Sequence, residues 1–252
     1  MNYELFIAKR IIAAKQYKSS ISSPIIKIAI IAIALGIIIM MIAIATGIGL
    51  QQKIREKLSG FNGHIQITNF DNNNSEITLV PVSKKQDFYP KFSTVEGIEN
   101  IQIFATKAGI IRTETDFEGV VLKGVGRDYN WNYFEDFLID GQLPNFLDKL
   151  SNEVLISKYL ADRLDFKVGD SFQMLFKKED ITKLPNIMKL NIVGIYNSGF
   201  LELDKTFMIG DIKHVQRLNK WEPNQVGSFE VFVEDYSALE NKGIEIYQNT
   251  PS

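Results

Sequence analysis

The side chains able to do chemistry are few and scattered. Cysteine is absent, which removes disulfides, thiolate nucleophiles and Cys-ligated metal sites. The two histidines, His64 and His214, stand far apart, and neither has a His or Cys beside it at ligand spacing. Each reads as a strand-edge or helix-surface residue rather than a ligand. No serine sits in a Gly-x-Ser-x-Gly elbow, and no Gly-x-x-x-x-Gly-Lys-Ser/Thr loop is present to cradle ATP. Gly124-Val125-Gly126 follows an apolar run but lacks the third glycine of a dinucleotide fingerprint. Glu135-Asp136 and Glu234-Asp235 read as solvated ends of elements, with a carboxylate pair formed in space left open. Tyr129, Trp131, Tyr133 and Phe134 carry the apolar area of a core cap, with a recognition platform as the alternative. These residues predict no enzyme, no cofactor and no metal.

The elements that would position any site begin with a charge asymmetry. Residues 1–58 hold eight Lys/Arg and two Asp/Glu, a net of +6, which leaves −8 for the rest. A basic, apolar head joined to an acidic body points to two environments, with the head near anionic lipid. The acidic body argues against nucleic acid, whose phosphates reward clustered Lys/Arg.

From Ile28 to Leu50 runs an uncharged stretch of 23 residues, ~34 Å long as a helix and enough for a ~30 Å hydrocarbon core. Its ten Ile and two Leu favour insertion by about 6 kcal/mol, at roughly 0.5 kcal/mol each. This predicts a transmembrane helix over 28–50, and a cytoplasmic segment over 1–27 follows from the excess of Lys/Arg there. A cleavable signal peptide with Ala43-Ile44-Ala45 at its site is the competing reading, but the leader is long and the apolar run continues past that site. Residues 3–17 read either as an amphipathic helix on the membrane surface or as an ordinary basic flank. Ala29, Ala32, Gly36, Met40, Ala43 and Gly47 recur at three- and four-residue steps, forming a narrow face suited to close helix pairing.

Past the span, Leu50, Ile54, Leu58 and Phe61 continue a helical period, so residues 51–62 are expected to form a stalk stopped at Gly60 and Gly63. A strand begins at His64–Ile67. Residues 101–114 and 117–126 form a predicted strand pair, followed by a strand at 152–157 and a helix at 157–166. A hairpin has arms at 171–176 and 187–196. Residues 207–211 and 228–235 are strands, with a short helix near 211–219 between them. The body, 63–252, is thus mixed α+β without tandem repeats. The hairpin insert 177–186 is longer than usual; it reads as a functional loop or as a plain hairpin tip.

The order of these features resembles the lipoprotein-releasing ABC transporter permeases, within the MacB/FtsX-like permease superfamily. The likeness covers essentially the whole chain. It runs from Phe6-Ile7-Ala8-Lys9-Arg10 and Ile33-Ala34-Leu35-Gly36-Ile37 through Gly63-His64-Ile65, Gly119–Gly124 and Asp140-Gly141. It continues in Asn152–Ser157 with Leu160-Ala161, in Val168-Gly169-Asp170, and in Val193-Gly194-Ile195-Tyr196 with Gly199, Glu202 and Asp204. The resemblance implies a two-lobed, MacB-like periplasmic core domain after an N-terminal transmembrane helix, in the inner membrane.

The resemblance also implies partners: a separate cytoplasmic ABC ATPase, a second permease subunit in a homo- or heterodimer, outer-membrane lipoproteins and a soluble periplasmic carrier. In one such permease a hairpin extension hooks the carrier, and here the shorter insert falls in that place. Lys177, Lys178, Glu179, Lys183, Leu184, Pro185 and Asn186 are its candidate contact residues. Family members carry three further spans, so the sequence reads as a chain truncated at Ser252. Two other readings stay open, an FtsX-like subunit that acts on another periplasmic partner and a single-span anchored binding domain.

Overall fold

The computed structural model describes residues 3–13, 22–72, 75–147, 149–178 and 184–250. Its helices are α1 (Tyr3–Ala13), α2 (Ser22–Asn62), α3 (Asn132–Glu135), α4 (Lys158–Leu164), α5 (Leu201–Thr206), α6 (Ile212–Asn219) and α7 (Leu239–Asn249). The strands are β1 (Ile65–Thr68), β2 (Val82–Ser83), β3 (Ile98–Arg112), β4 (Phe117–Val125), β5 (Leu138–Gly141), β6 (Glu153–Ser157), β7 (Ser171–Phe176), β8 (Asn186–Tyr196), β9 (Phe207–Asp211), β10 (Gln225–Val226) and β11 (Ser228–Val233).

By its contacts the chain divides into two units, Met1–Glu56 and Lys57–Ser252. The first holds α1 and most of α2. Pro24–Asn62 is the one helical stretch among the described residues long and apolar enough to cross a membrane. Its Ile, Leu and Met side chains from Ile28 to Leu50 are exposed, as befits a helix whose solvent would be lipid. Gly60 lies inside the helix and does not end it. The helix stops after Asn62, where Gly63 takes φ +69° and donates its N–H to the Ser59 carbonyl at 2.7 Å.

The second unit is built on a nine-stranded sheet in the order β1-β11-β3-β4-β9-β6-β8-β5, with β7 pairing both β3 and β8. That last pairing closes β3, β4, β9, β6, β8 and β7 into a ring. Strand alternation sorts the core by face. Ile111, Val120, Leu122, Val154, Ile156, Met174, Leu190 and Met208 point to one side, where residues of α4, α6 and α7 join them. Phe104, Val125, Leu155, Tyr196 and Ile209 point to the other, against Phe61, Tyr129, Phe134, Phe137 and Phe146. Mixed α+β architecture is what the sequence pattern predicts. The ring closure is not, because β7 meets β3 across nearly sixty residues of chain.

Candidate functional site

Two charges inside apolar strands mark the site. Lys123 on β4 and Glu230 on β11 are 2% and 0% exposed, and their side chains pair at 2.6 Å. Both project to the face opposite Leu122 and Val231. Gln102, on the intervening β3, donates to the other Glu230 oxygen at 2.8 Å. Lys123 also donates to the Phe61 carbonyl in the last turn of α2. A helix leaves its last carbonyls unpartnered and negatively polarised, so a cation there is favourably placed. The same ammonium lies 5.0 Å from the Phe61 ring centroid and 5.1 Å from that of Phe104.

Phe61 is fully buried, which the apolar period of the stalk alone does not demand. Its ring packs at 5.4 Å from Phe207, 6.0 Å from Phe134 and 6.2 Å from Tyr196. Tyr196 donates its hydroxyl to the Phe207 carbonyl at 2.7 Å. Burial, with Asp204 and Tyr129 adding to it, pushes the Tyr196 phenol well up, so it remains a donor.

The floor of this socket is the stretch that carries the family resemblance. Buried Asp204 accepts from the Ser198 N–H at 3.1 Å and from its hydroxyl at 2.7 Å, which fixes the turn Asn197–Phe200. Ser157 ties the same corner from β6: its hydroxyl donates to the Asp204 carbonyl and accepts the Leu160 N–H that opens α4. The Lys57 ammonium reaches to 3.5 Å from the Ser198 carbonyl and 5.8 Å from the Phe137 ring centroid. Lys57 and Phe61, one helical turn apart, are therefore both seated by the socket.

Gly63 and His64 form the exit. A Cβ on Gly63 would stand 2.9 Å from Glu230 Cβ, so close approach as well as positive φ requires glycine here. His64 is half-buried beside β1. His214, expected on a helix surface, is buried at 4% exposure on the inward side of α6, and its Nε2 donates to the Ser151 carbonyl at 2.8 Å. Burial lowers its pKa, with the Ser151 hydrogen bond acting against it. The correction follows from where α6 packs: Val215 beside it is fully buried, so that face of the helix is the inner one.

The other predicted residues do not join this site. Ala29, Ala32, Gly36, Met40, Ala43 and Gly47 all lie on α2 within an arc of about 80° at 100° per residue, exposed along the apolar run. Of the hairpin residues, Lys177, Leu184 and Pro185 are exposed and Lys178 is half-buried, while Glu179 and Lys183 fall outside the described residues. Asn186 belongs to β8, paired with Phe176, so the insert ends at Pro185 rather than at 186. Tyr129 and Phe134 are buried and Trp131 packs against them, so these aromatics serve as core. Glu135-Asp136 and Glu234-Asp235 are exposed ends of elements. Among the described residues no three His, Cys, Asp or Glu side chains gather as a metal site.

Residues 28–240 match the family described as the MacB-like periplasmic core domain. Over 235 residues the chain is 22% identical to the lipoprotein-releasing system transmembrane protein LolC of Neisseria meningitidis serogroup B, covering 86% of this chain and 52% of that protein. The chain thus spans about half the length of that curated relative. The periplasmic region of MacB from Actinobacillus actinomycetemcomitans superposes with a TM-score of 0.47 at 14% identity, over 73% of this chain and 81% of the other. The extracellular domain of the noncanonic ABC-type transporter YknZ from Gram-positive bacteria gives 0.45 at 14% identity, over 74% and 96%.

Proposed function

The chain belongs to the MacB-like periplasmic core domain family, and from that membership we propose that it serves in an ABC transporter permease that extracts lipoproteins from the inner membrane. The cargo passes to a soluble periplasmic carrier. In this reading ATP is hydrolysed by a separate cytoplasmic ATPase subunit, the partner that the resemblance to lipoprotein-releasing permeases implies. The N-terminus is cytoplasmic, the main domain periplasmic, and the permease works as a dimer whose spans pair along the small-residue face of α2.

The observation that carries this reading is the socket. A helix that contains a candidate span ends in a turn gripped by an aromatic cluster, a buried ion pair and a carboxylate-built turn. Such a joint suits the transfer of movement from membrane helices to a folded domain. The lipoprotein cargo rests on the likeness to LolC, and the hairpin 177–185 is the proposed carrier contact.

Depletion of the protein in its own host tests the cargo. Lipoproteins that accumulate in the inner membrane would support it, and an unchanged distribution between membranes would overturn it. A photocrosslinker at Leu184, 84% exposed, is expected to capture a soluble periplasmic protein. Crosslinking only to membrane components would remove the carrier contact.

A further inference from the structure

The residue that follows the socket's glycine is held in a protonation-dependent way. His64 donates its main-chain N–H to the Val231 carbonyl at 3.0 Å. Its imidazole Nδ1 accepts the Val233 N–H at 2.9 Å. The ring packs 5.4 Å from Phe232 and 5.3 Å from Tyr236, centroid to centroid. An imidazole that accepts at Nδ1 is neutral and carries its proton on Nε2. A protonated ring donates from both nitrogens and would meet the Val233 N–H donor to donor.

We propose that His64 is an acid-released clasp between the exit of α2 and the end of β11. Neutral, it ties the chain just past the socket to the sheet; protonated, it lets that tie go. Its regulatory meaning rests on the reading of the socket as a coupling joint, whereas the clasp itself is a property of the domain.

The surroundings support this direction. Glu99, at the start of β3, favours the protonated ring, but burial outweighs it and holds the His64 pKa below 6.5. Tyr236 meets the ring edge-on from the segment after β11. Glu230, near Gly63, is committed to Lys123 and Gln102. With a lowered folded pKa, the tie is fully made above pH 6.5 and is lost as the pH falls through the folded value. The clasp therefore stays shut near neutrality and opens on the acid side of pH 6.5.

Hydrogen exchange on the full chain in detergent micelles tests it. Protection factors, corrected for intrinsic rates, are compared at pH 7.5 and 5.0 over peptides covering 63–68 and 228–236. The expected result is about a tenfold loss of protection at pH 5.0, the scale of one lost hydrogen bond. In His64→Asn, whose Oδ1 takes the place of Nδ1 and can accept from Val233 at any pH, the loss should vanish. Unchanged protection in the native chain, or an equal loss in the variant, would overturn the clasp. Should the variant not fold, imidazole nitrogen shifts of the native chain decide: an Nε2–H tautomer at neutral pH supports the clasp, and an Nδ1–H tautomer refutes it. None of these readouts depends on cargo or ATPase, so a failed lipoprotein assay would leave the clasp standing.

Discussion

Lys123 and Glu230 should behave as one unit when mutated. Lys123→Met leaves the fully buried Glu230 carboxylate with Gln102 alone. Glu230→Gln leaves a cation of 2% exposure without its counter-charge, facing one carbonyl, a neutral amide and two aromatic rings. Stranding one partner of a buried pair costs about 3–5 kcal/mol. In a domain of this size each kcal/mol lowers Tm by about 2–4 °C, so each single variant should melt about 6–20 °C early. The double variant K123M/E230Q carries no buried charge, and the new amide can still accept from Gln102. Its residual loss is the donor to the Phe61 carbonyl, about 1–3 kcal/mol. Thermal melts by circular dichroism in one detergent, with hydrogen exchange of the last turn of α2, measure all three. The double variant should melt above both singles while that turn exchanges faster. A double variant that melts at or below the sum of the two single losses would refute the coupled-charge reasoning.

Gly63→Ala should cost more than the ~1–2 kcal/mol of a left-handed alanine, because its Cβ would press on Glu230 Cβ at 2.9 Å; a Tm shift under 2 °C would contradict this. For His214, burial lowers the folded pKa below 6.5, so its stabilisation is complete above that value and is lost as the pH falls through the folded one. The drop in Tm between pH 7.5 and 5.0 should therefore be smaller in His214→Gln than in the native chain, and equal drops would count against the assignment. Gly36→Leu or Gly47→Leu, at positions with nothing within 4 Å of an added Cβ, should weaken crosslinking between spans while the far-ultraviolet spectrum stays unchanged. Crosslinking at the native level would dispose of the packing face.

The elements of this fold were legible wherever a period or a local composition was clean. SFEVFV is short and rich in valine and phenylalanine, the Ile-rich run is too long for anything but a span or a buried helix, and the turn at Gly169-Asp170 announces its hairpin. The socket was legible in pieces that did not assemble. Lys123 stands in GVVLKGV with Val121 and Val125 two residues away, and Glu230 in SFEVFV with Ser228 and Phe232 two residues away. Alternation sets both opposite the apolar rows that hold Val120, Leu122, Phe229 and Val231. Once Phe61 and its aromatic neighbours cover the face of the two charges, a buried charge asks for a partner. What alternation does not supply is which partner, since 107 residues separate them and β3 lies between their strands. His214 was misplaced for the converse reason. A polar residue on a short helix reads as exposed until the packing face of that helix is known.

The mixture of forces in the socket bears on what it can do. An aromatic ring in an apolar pocket is held strongly but without direction, and it can turn or slide at small cost. A buried ion pair adds little net stability, since apolar residues of similar volume do as well or better. It adds direction. Among the last four carbonyls of α2, Ser59 is taken by Gly63, Phe61 by Lys123 and Asn62 by the Gln66 side chain. The ammonium is itself fixed by Glu230, and Glu230 by Gln102, so one carbonyl is referred to three strands of the sheet at once. A helix end held in this way cannot rotate about its axis or shift by a residue without stranding a buried charge. Packing alone would suffice for a domain merely tethered to a membrane helix. A seat that fixes rotation and register is what a helix needs if its own movement is to be read by the sheet.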